Sequence, residues 1–162
     1  MALSAEKTIP VTILRPTLIY GAGLDSNITR LADVVRRFGF LAIYPPANGG
    51  RQPVQVMDLA TAGLNIIYNP TTFGKAYNLG GSQALPYHTM LLGLFNYMGK
   101  SPRIYKLRFL PTLLNVLGKL YGGNINAEMA HRMNQNLVFD IQSAIEDFRY
   151  NPKGYLEGDI VI

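Results

Sequence analysis

The run Val11-Thr12-Ile13-Leu14 is apolar and β-branched and lies between Pro10 and Arg15-Pro16, which predicts a buried strand bounded by prolines. Leu18-Ile19-Tyr20 then runs into the turn Gly21-Ala22-Gly23. Over residues 27–38, Ile28, Leu31, Ala32, Val35 and Phe38 recur three or four apart, the spacing of a helix capped by Ser26 or Asn27 and stopped by Gly39. Residues 44–53 hold tandem prolines and Gly49-Gly50 and read as a loop, after which Val54-Gln55-Val56 alternates as a short strand. Asp58 reads as the cap of a helix over residues 59–68, which ends before Asn69-Pro70. Ala76-Tyr77-Asn78-Leu79 is a second core strand, closed by Gly80-Gly81.

Pro86 suits a helix start, with Met90, Leu91, Leu94, Phe95 and Met98 on one face and Gly99 as the stop. Leu113, Leu114, Leu117, Leu120 and Tyr121 predict a further helix from Pro111 to Gly122-Gly123. Asn126 opens one more short helix, and Asp140 caps another over residues 141–148. Strands alternating with helices imply an α/β protein with a parallel sheet, and 162 residues fit a single domain, 1–162. About three strands are visible, fewer than a doubly wound sheet needs.

Composition narrows the chemistry. Hydrophobic residues make up 48% and charged residues 15%, with a mean hydropathy of +0.10, so the chain is globular. A net charge of +5 and a pI of about 9.5 admit anionic ligands without choosing among them. With no cysteine and only His88 and His131 as imidazoles, disulfides, thiolate metal sites and Cys nucleophiles are excluded, and no metal site is expected. Each histidine reads as a structural or surface residue rather than a base. No basic segment followed by an apolar one opens the chain, so a soluble, cytoplasmic protein is expected.

Gly21-Ala22-Gly23 stands between a strand and a helix, as a dinucleotide fingerprint would, but Ser26 replaces the third glycine and no acid follows about 20 residues on. A glycine turn that reverses the chain above the sheet is the better reading. No Tyr has Lys four residues later and no Gly-x-Ser-x-Gly elbow exists, so no catalytic residue is assigned. Arg103, Lys106, Arg108 and Lys119 surround a Leu-rich stretch that could lie on a membrane, yet Pro111 and Gly118 interrupt it. Core packing with snorkelling cations is preferred, and membrane contact is not expected. Nucleic acid is disfavoured, because the cations are scattered and the tyrosines are not interleaved with them. Arg51, at the end of a Gly-rich loop and before a strand, is placed to fork onto a phosphate.

Three blocks carry a resemblance: Thr12-Ile13-Leu14-Arg15-Pro16-Thr17-Leu18-Ile19-Tyr20-Gly21, Arg51-Gln52-Pro53-Val54-Gln55-Val56-Met57-Asp58-Leu59-Ala60, and Lys75-Ala76-Tyr77-Asn78-Leu79-Gly80-Gly81. Together with residues 133–140 and 147–152 they resemble the C-terminal, substrate-binding half of the extended short-chain dehydrogenase/reductases, the NAD-dependent epimerase/dehydratase group acting on nucleoside-diphosphate sugars. The resemblance implies the C-terminal part of a Rossmann-like doubly wound parallel sheet with a small, mostly helical substrate-binding region. It implies that Pro16 and Thr17 touch the nicotinamide end of NAD or NADP. Leu24, Asn27 and Ile28 would border the sugar-nucleotide pocket, Ile43 and Tyr44 would lie against the base, and Arg51 would grip the diphosphate. Leu18 departs from the asparagine many members carry.

The family's glycine-rich turn and Tyr-x-x-x-Lys pair have no counterpart in these residues, so the chain alone is expected to bind NAD weakly and to show no turnover. Residues 5–7 resemble the end of the helix that follows the catalytic pair. Pairing with an N-terminal half, or self-association through an exposed edge at residues 11–14, is expected. A non-catalytic relative of the same fold acting as a regulator or assembly factor is one alternative, and a peripheral membrane-binding module using residues 103–121 is another.

Overall fold

The computed structural model describes residues 10–23, 25, 27–121, 125–158 and 160–162. The elements in chain order are β1 (Ile13–Pro16), β2 (Leu18–Tyr20), α1 (Ile28–Phe38), β3 (Leu41–Ile43), β4 (Gly50–Arg51), β5 (Pro53–Gln55) and α2 (Val56–Ile66), then a 3-10 turn (Pro70–Thr72). They continue with β6 (Ala76–Leu79), β7 (Leu85–Pro86), α3 (Tyr87–Tyr97), β8 (Ile104–Lys106), α4 (Leu110–Tyr121), α5 (Ala127–Arg132) and α6 (Gln142–Phe148).

Parallel pairing dominates. β1 runs beside β6 with Ile13 opposite Ala76, β2 beside β5 with Leu18 opposite Pro53, and β3 beside β8 with Leu41 opposite Ile104. Parallel neighbours need crossover connections, and helices supply them here. The antiparallel exception sets Arg51 of β4 opposite Leu85 of β7. Among the described residues β1 has β6 as its one partner, and Val11 and Ile13 remain exposed.

Two apolar cores sit against these strands. Ile28, Ala32 and Val35 of α1 face Ile43 of β3 and Met90, Leu91, Leu94 and Phe95 of α3. The second core gathers Ala62 of α2, Tyr77 and Leu79 of β6, and Ala144 and Phe148 of α6. The rings of Tyr77 and Phe148 meet edge to face at 5.1 Å.

Several local expectations are corrected. β1 begins at Ile13 rather than Val11 and runs through Pro16, because its ladder partner β6 sets its limits. Of the two cap candidates of α1, Ser26 lies outside the described residues, and Asn27 takes the N-cap position without a side-chain cap bond; instead Asp25 accepts from the amides of Asn27 and Thr29 at 2.9 and 3.1 Å. Helix α2 begins at Val56, so Asp58 falls inside its first turn and does not cap it. There Asp58 accepts the Lys153 amide at 2.9 Å and ties the tail to the helix. Strands β3, β4 and β8 occupy segments read as loop or helix flank. Residues 5–7 and Gly122-Gly123 lie outside the described residues.

Alkaline pH tests the second core. Burial, together with a 2.5 Å hydrogen bond to Asp147, pushes the Tyr77 phenol up to about 12. Burial also raises Tyr150 in the same core and Tyr155, which packs against the first core. An unfolded tyrosine ionises near pH ~10, so the folded chain holds these protons longer, and stability is full below that pH and lost above it. The melting temperature is expected to fall above pH ~10, with the last tyrosinate absorbance appearing only as the chain unfolds. All 10 tyrosines titrating together in a still-folded chain would contradict this.

Candidate functional site

The ends of β1, β2 and β5 open into a cleft of ≈ 420 Å³ lined by Thr17, Ile19, Tyr20, Ala22, Asp25, Asn27 and Val56. Thr17 and Asn27, assigned separately from the sequence, therefore meet in one cleft. The Thr17 hydroxyl donates to the carbonyl of Gln52, and its amide donates to Leu79 at 3.0 Å. These two bonds hold the residue after β1 between Gln52, which links β4 to β5, and the end of β6. Pro16 lies opposite Leu79 in the ladder. Ile28 and Ile43 are wholly buried in the first core and do not line the cleft. Leu24 lies outside the described residues.

The glycine turn beside the cleft is closed from within. Gly21 and Gly23 take φ of 106° and 67°, values that suit glycine, and the Gly23 amide donates to the Val161 carbonyl at 3.0 Å. That donor serves the chain's own tail. With that amide engaged, the turn does not offer it to a dinucleotide.

Arg51 and Tyr44 form a second group around the end of α5. Arg51 is buried; its Nη1 donates to Gly50 at 2.8 Å and Gln135 at 2.7 Å, and its Nη2 donates to the Arg132 carbonyl. The guanidinium also lies 5.2 Å from the Tyr87 ring centroid. Of its five N–H groups, two remain outside these three hydrogen bonds. Neither of the two ion pairs among the described residues involves Arg51. Burial lowers its pKa, the nearby Tyr87 opposes that, and the Arg132 cation adds to it. Tyr44 meets the same turn from the other side, its amide reaching Met133 Sδ at 3.3 Å and its ring meeting His131 at 5.3 Å.

Two guanidiniums and an imidazole thus surround one helix end with no paired carboxylate among the described residues, and such a cluster favours an anion. The sequence did not single out Arg132 or Tyr87 for the site. Their signal was faint, an Arg beside a His and an aromatic after Pro86. No group of three His, Cys, Asp or Glu side chains that could hold a metal ion occurs among the described residues.

Parallel strands crossed by helices, with a cleft at the strand ends, define a Rossmann-like α/β fold. Solved structures share it. An ADP-L-glycero-D-manno-heptose-6-epimerase from Helicobacter pylori superposes with a TM-score of 0.61 at 19% identity, covering 90% of this chain and 40% of that one. A UDP-glucuronic acid 4-epimerase from Bacillus cereus, solved with UDP-glucuronic acid and NAD, gives 0.61 at 19% identity, covering 90% and 41%. A dTDP-glucose 4,6-dehydratase from Bacillus anthracis gives 0.58 at 14% identity, covering 90% and 40%. At these identities the likeness establishes the fold, and the chain spans about two fifths of the length of each.

In sequence, the chain is 29% identical over 99 residues to "NADH dehydrogenase [ubiquinone] 1 alpha subcomplex subunit 9, mitochondrial" of Arabidopsis thaliana, a stretch that is 60% of this chain and 24% of that protein. No family model matches the chain.

Proposed function

We propose that this chain is the C-terminal, substrate-binding part of an NAD(P)-dependent protein of the nucleoside-diphosphate-sugar epimerase/dehydratase type, and that it binds the nucleotide diphosphate at Arg51. The observation that carries this reading is the guanidinium itself, buried at 6% exposure beside Arg132 and without a carboxylate partner. A buried cation without a counterion favours an anion that supplies one. Tyr44 flanks the position for the base, and Thr17 and Asn27 line the cleft toward the cofactor side. The chain has no turnover alone, because its residues include no Tyr-x-x-x-Lys pair.

A second reading keeps the fold and drops the chemistry: a non-catalytic relative that serves as a subunit or assembly factor. Two observations favour it, the likeness to the plant NADH dehydrogenase subunit and the three Arg51 hydrogen bonds already given to backbone carbonyls. A thermal-shift panel with UDP, dTDP, their sugars and NAD separates the two. Under the first reading, a nucleoside diphosphate at 100 times its dissociation constant adds ~2.7 kcal/mol and raises the midpoint by about 5–10 °C, and NAD does nothing. No shift with any nucleotide supports the second.

A further inference from the structure

We propose that the outer face of α4 docks on an anionic membrane surface. At 100° per residue, Phe109, Leu113, Val116 and Leu120 fall within an arc of about 60°. All four are exposed, Leu120 at 71% and Phe109 at 61%. A different face packs: Leu110, about a quarter-turn round the helix from the centre of the stripe, is buried, and α4 lies against α5. So α4 carries two apolar faces, one inside and one uncovered among the described residues.

Charge names the occupant. Arg108 and Lys119 fall together on one flank of the exposed stripe, and both are exposed. From Asp58 to Glu128 the sequence holds no acid, while Lys100, Arg103, Lys106, Arg108 and Lys119 lie in or just before α4. An apolar stripe edged by cations, with no acid near it in sequence, is complementary to a surface of acyl chains beneath anionic headgroups. The two features that argued against such a helix lose their force in the structure. Pro111 occupies the first turn of α4, where an amide has no intrahelical partner. Gly118 is a packing residue, since a Cβ there would lie 1.9 Å from the Ile125 carbonyl oxygen. Among the described residues no helix is long and apolar enough to cross a membrane, so the contact is interfacial.

The chain contains no tryptophan, so Leu120→Trp makes a single reporter at the centre of the stripe. With vesicles of phosphatidylcholine and phosphatidylglycerol, its emission is expected to shift to the blue and to be quenched by brominated acyl chains. Pure phosphatidylcholine or ~1 M salt should abolish most of the shift. In co-sedimentation, the pair Arg108→Glu and Lys119→Glu, and separately the pair Leu113→Asp and Val116→Asp, should each weaken partitioning about tenfold or more with an unchanged far-UV spectrum. No blue shift on anionic vesicles overturns the proposal. So does an equal shift with polyglutamate in solution, which would make the partner an acidic protein, and so does full binding by either double variant.

Discussion

Arg51→Ala is expected to lower unfolding stability by about 2–4 kcal/mol, a large effect for a residue outside either apolar core. The substitution strips one hydrogen bond from each of the carbonyls of Gly50, Arg132 and Gln135 and removes the cation from the face of Tyr87. Part of that loss is offset because the buried charge no longer has to be desolvated, which is why the estimate stops short of the full sum. The damage should be local as well as global, since Arg51 joins β4 to the turn after α5 across more than 80 residues of chain. Urea unfolding gives the magnitude. Hydrogen exchange should show the amides of Gly49 and Leu137, which bind Met133 and Gly50, opening faster in the variant. A loss below about 0.5 kcal/mol would mean that the guanidinium holds nothing together.

Gly81→Ala should be as costly for a different reason. A Cβ at Gly81 would lie 1.9 Å from the Pro53 carbonyl oxygen and 3.0 Å from its carbon, both backbone atoms of β5. No side chain can swing aside to make room, so the end of β6 must separate from the β4–β5 segment. That junction also holds the hydrogen bonds from Gln52 Nε2 to the Gly81 carbonyl at 3.0 Å and from the Phe139 amide to Gln52 Oε1 at 3.1 Å. A cost above about 3 kcal/mol is expected. Gly63 is the internal control, because it lies within α2 and a Cβ there meets nothing within 4 Å. Gly63→Ala should stabilise by about 0.5–1 kcal/mol through helix propensity. If both glycines responded alike, close approach at Gly81 would not be the reason.

What the sequence made legible follows from how local each determinant is. Strand β6 has the predicted limits because its apolar run stands between Lys75 and Gly80, and α4 and α5 start where Pro111 and Asn126 announce them. Strands β3 and β8 were missed because each is three residues long and exists through its partner, with Ala42 opposite Tyr105. Ile104–Lys106 alone looks like the approach to a Leu-rich helix, and a pairing 63 residues distant makes it a strand. Helix α1 starts directly after Asn27, as its apolar spacing predicts, but the carboxylate that accepts its first amides belongs to Asp25, outside the positions where a cap was sought.

The site divides in the same way. The family resemblance marked Thr17 and Asn27, and its loop context marked Arg51, yet only the fold shows that Thr17 and Asn27 share a cleft while Arg51 and Tyr44 meet at the end of α5. Arg132 and Tyr87 carried only a faint signal, since their role depends on the cation they face.

Binding of a nucleotide diphosphate at Arg51 is the central claim, and a calorimetric titration of UDP into the wild type and Arg51→Lys tests it most directly. Lysine keeps the charge but loses the planar fork, so UDP affinity should fall about tenfold while the folded baseline is retained. Equal affinity in the two proteins, or no UDP binding by the wild type, would contradict the claim.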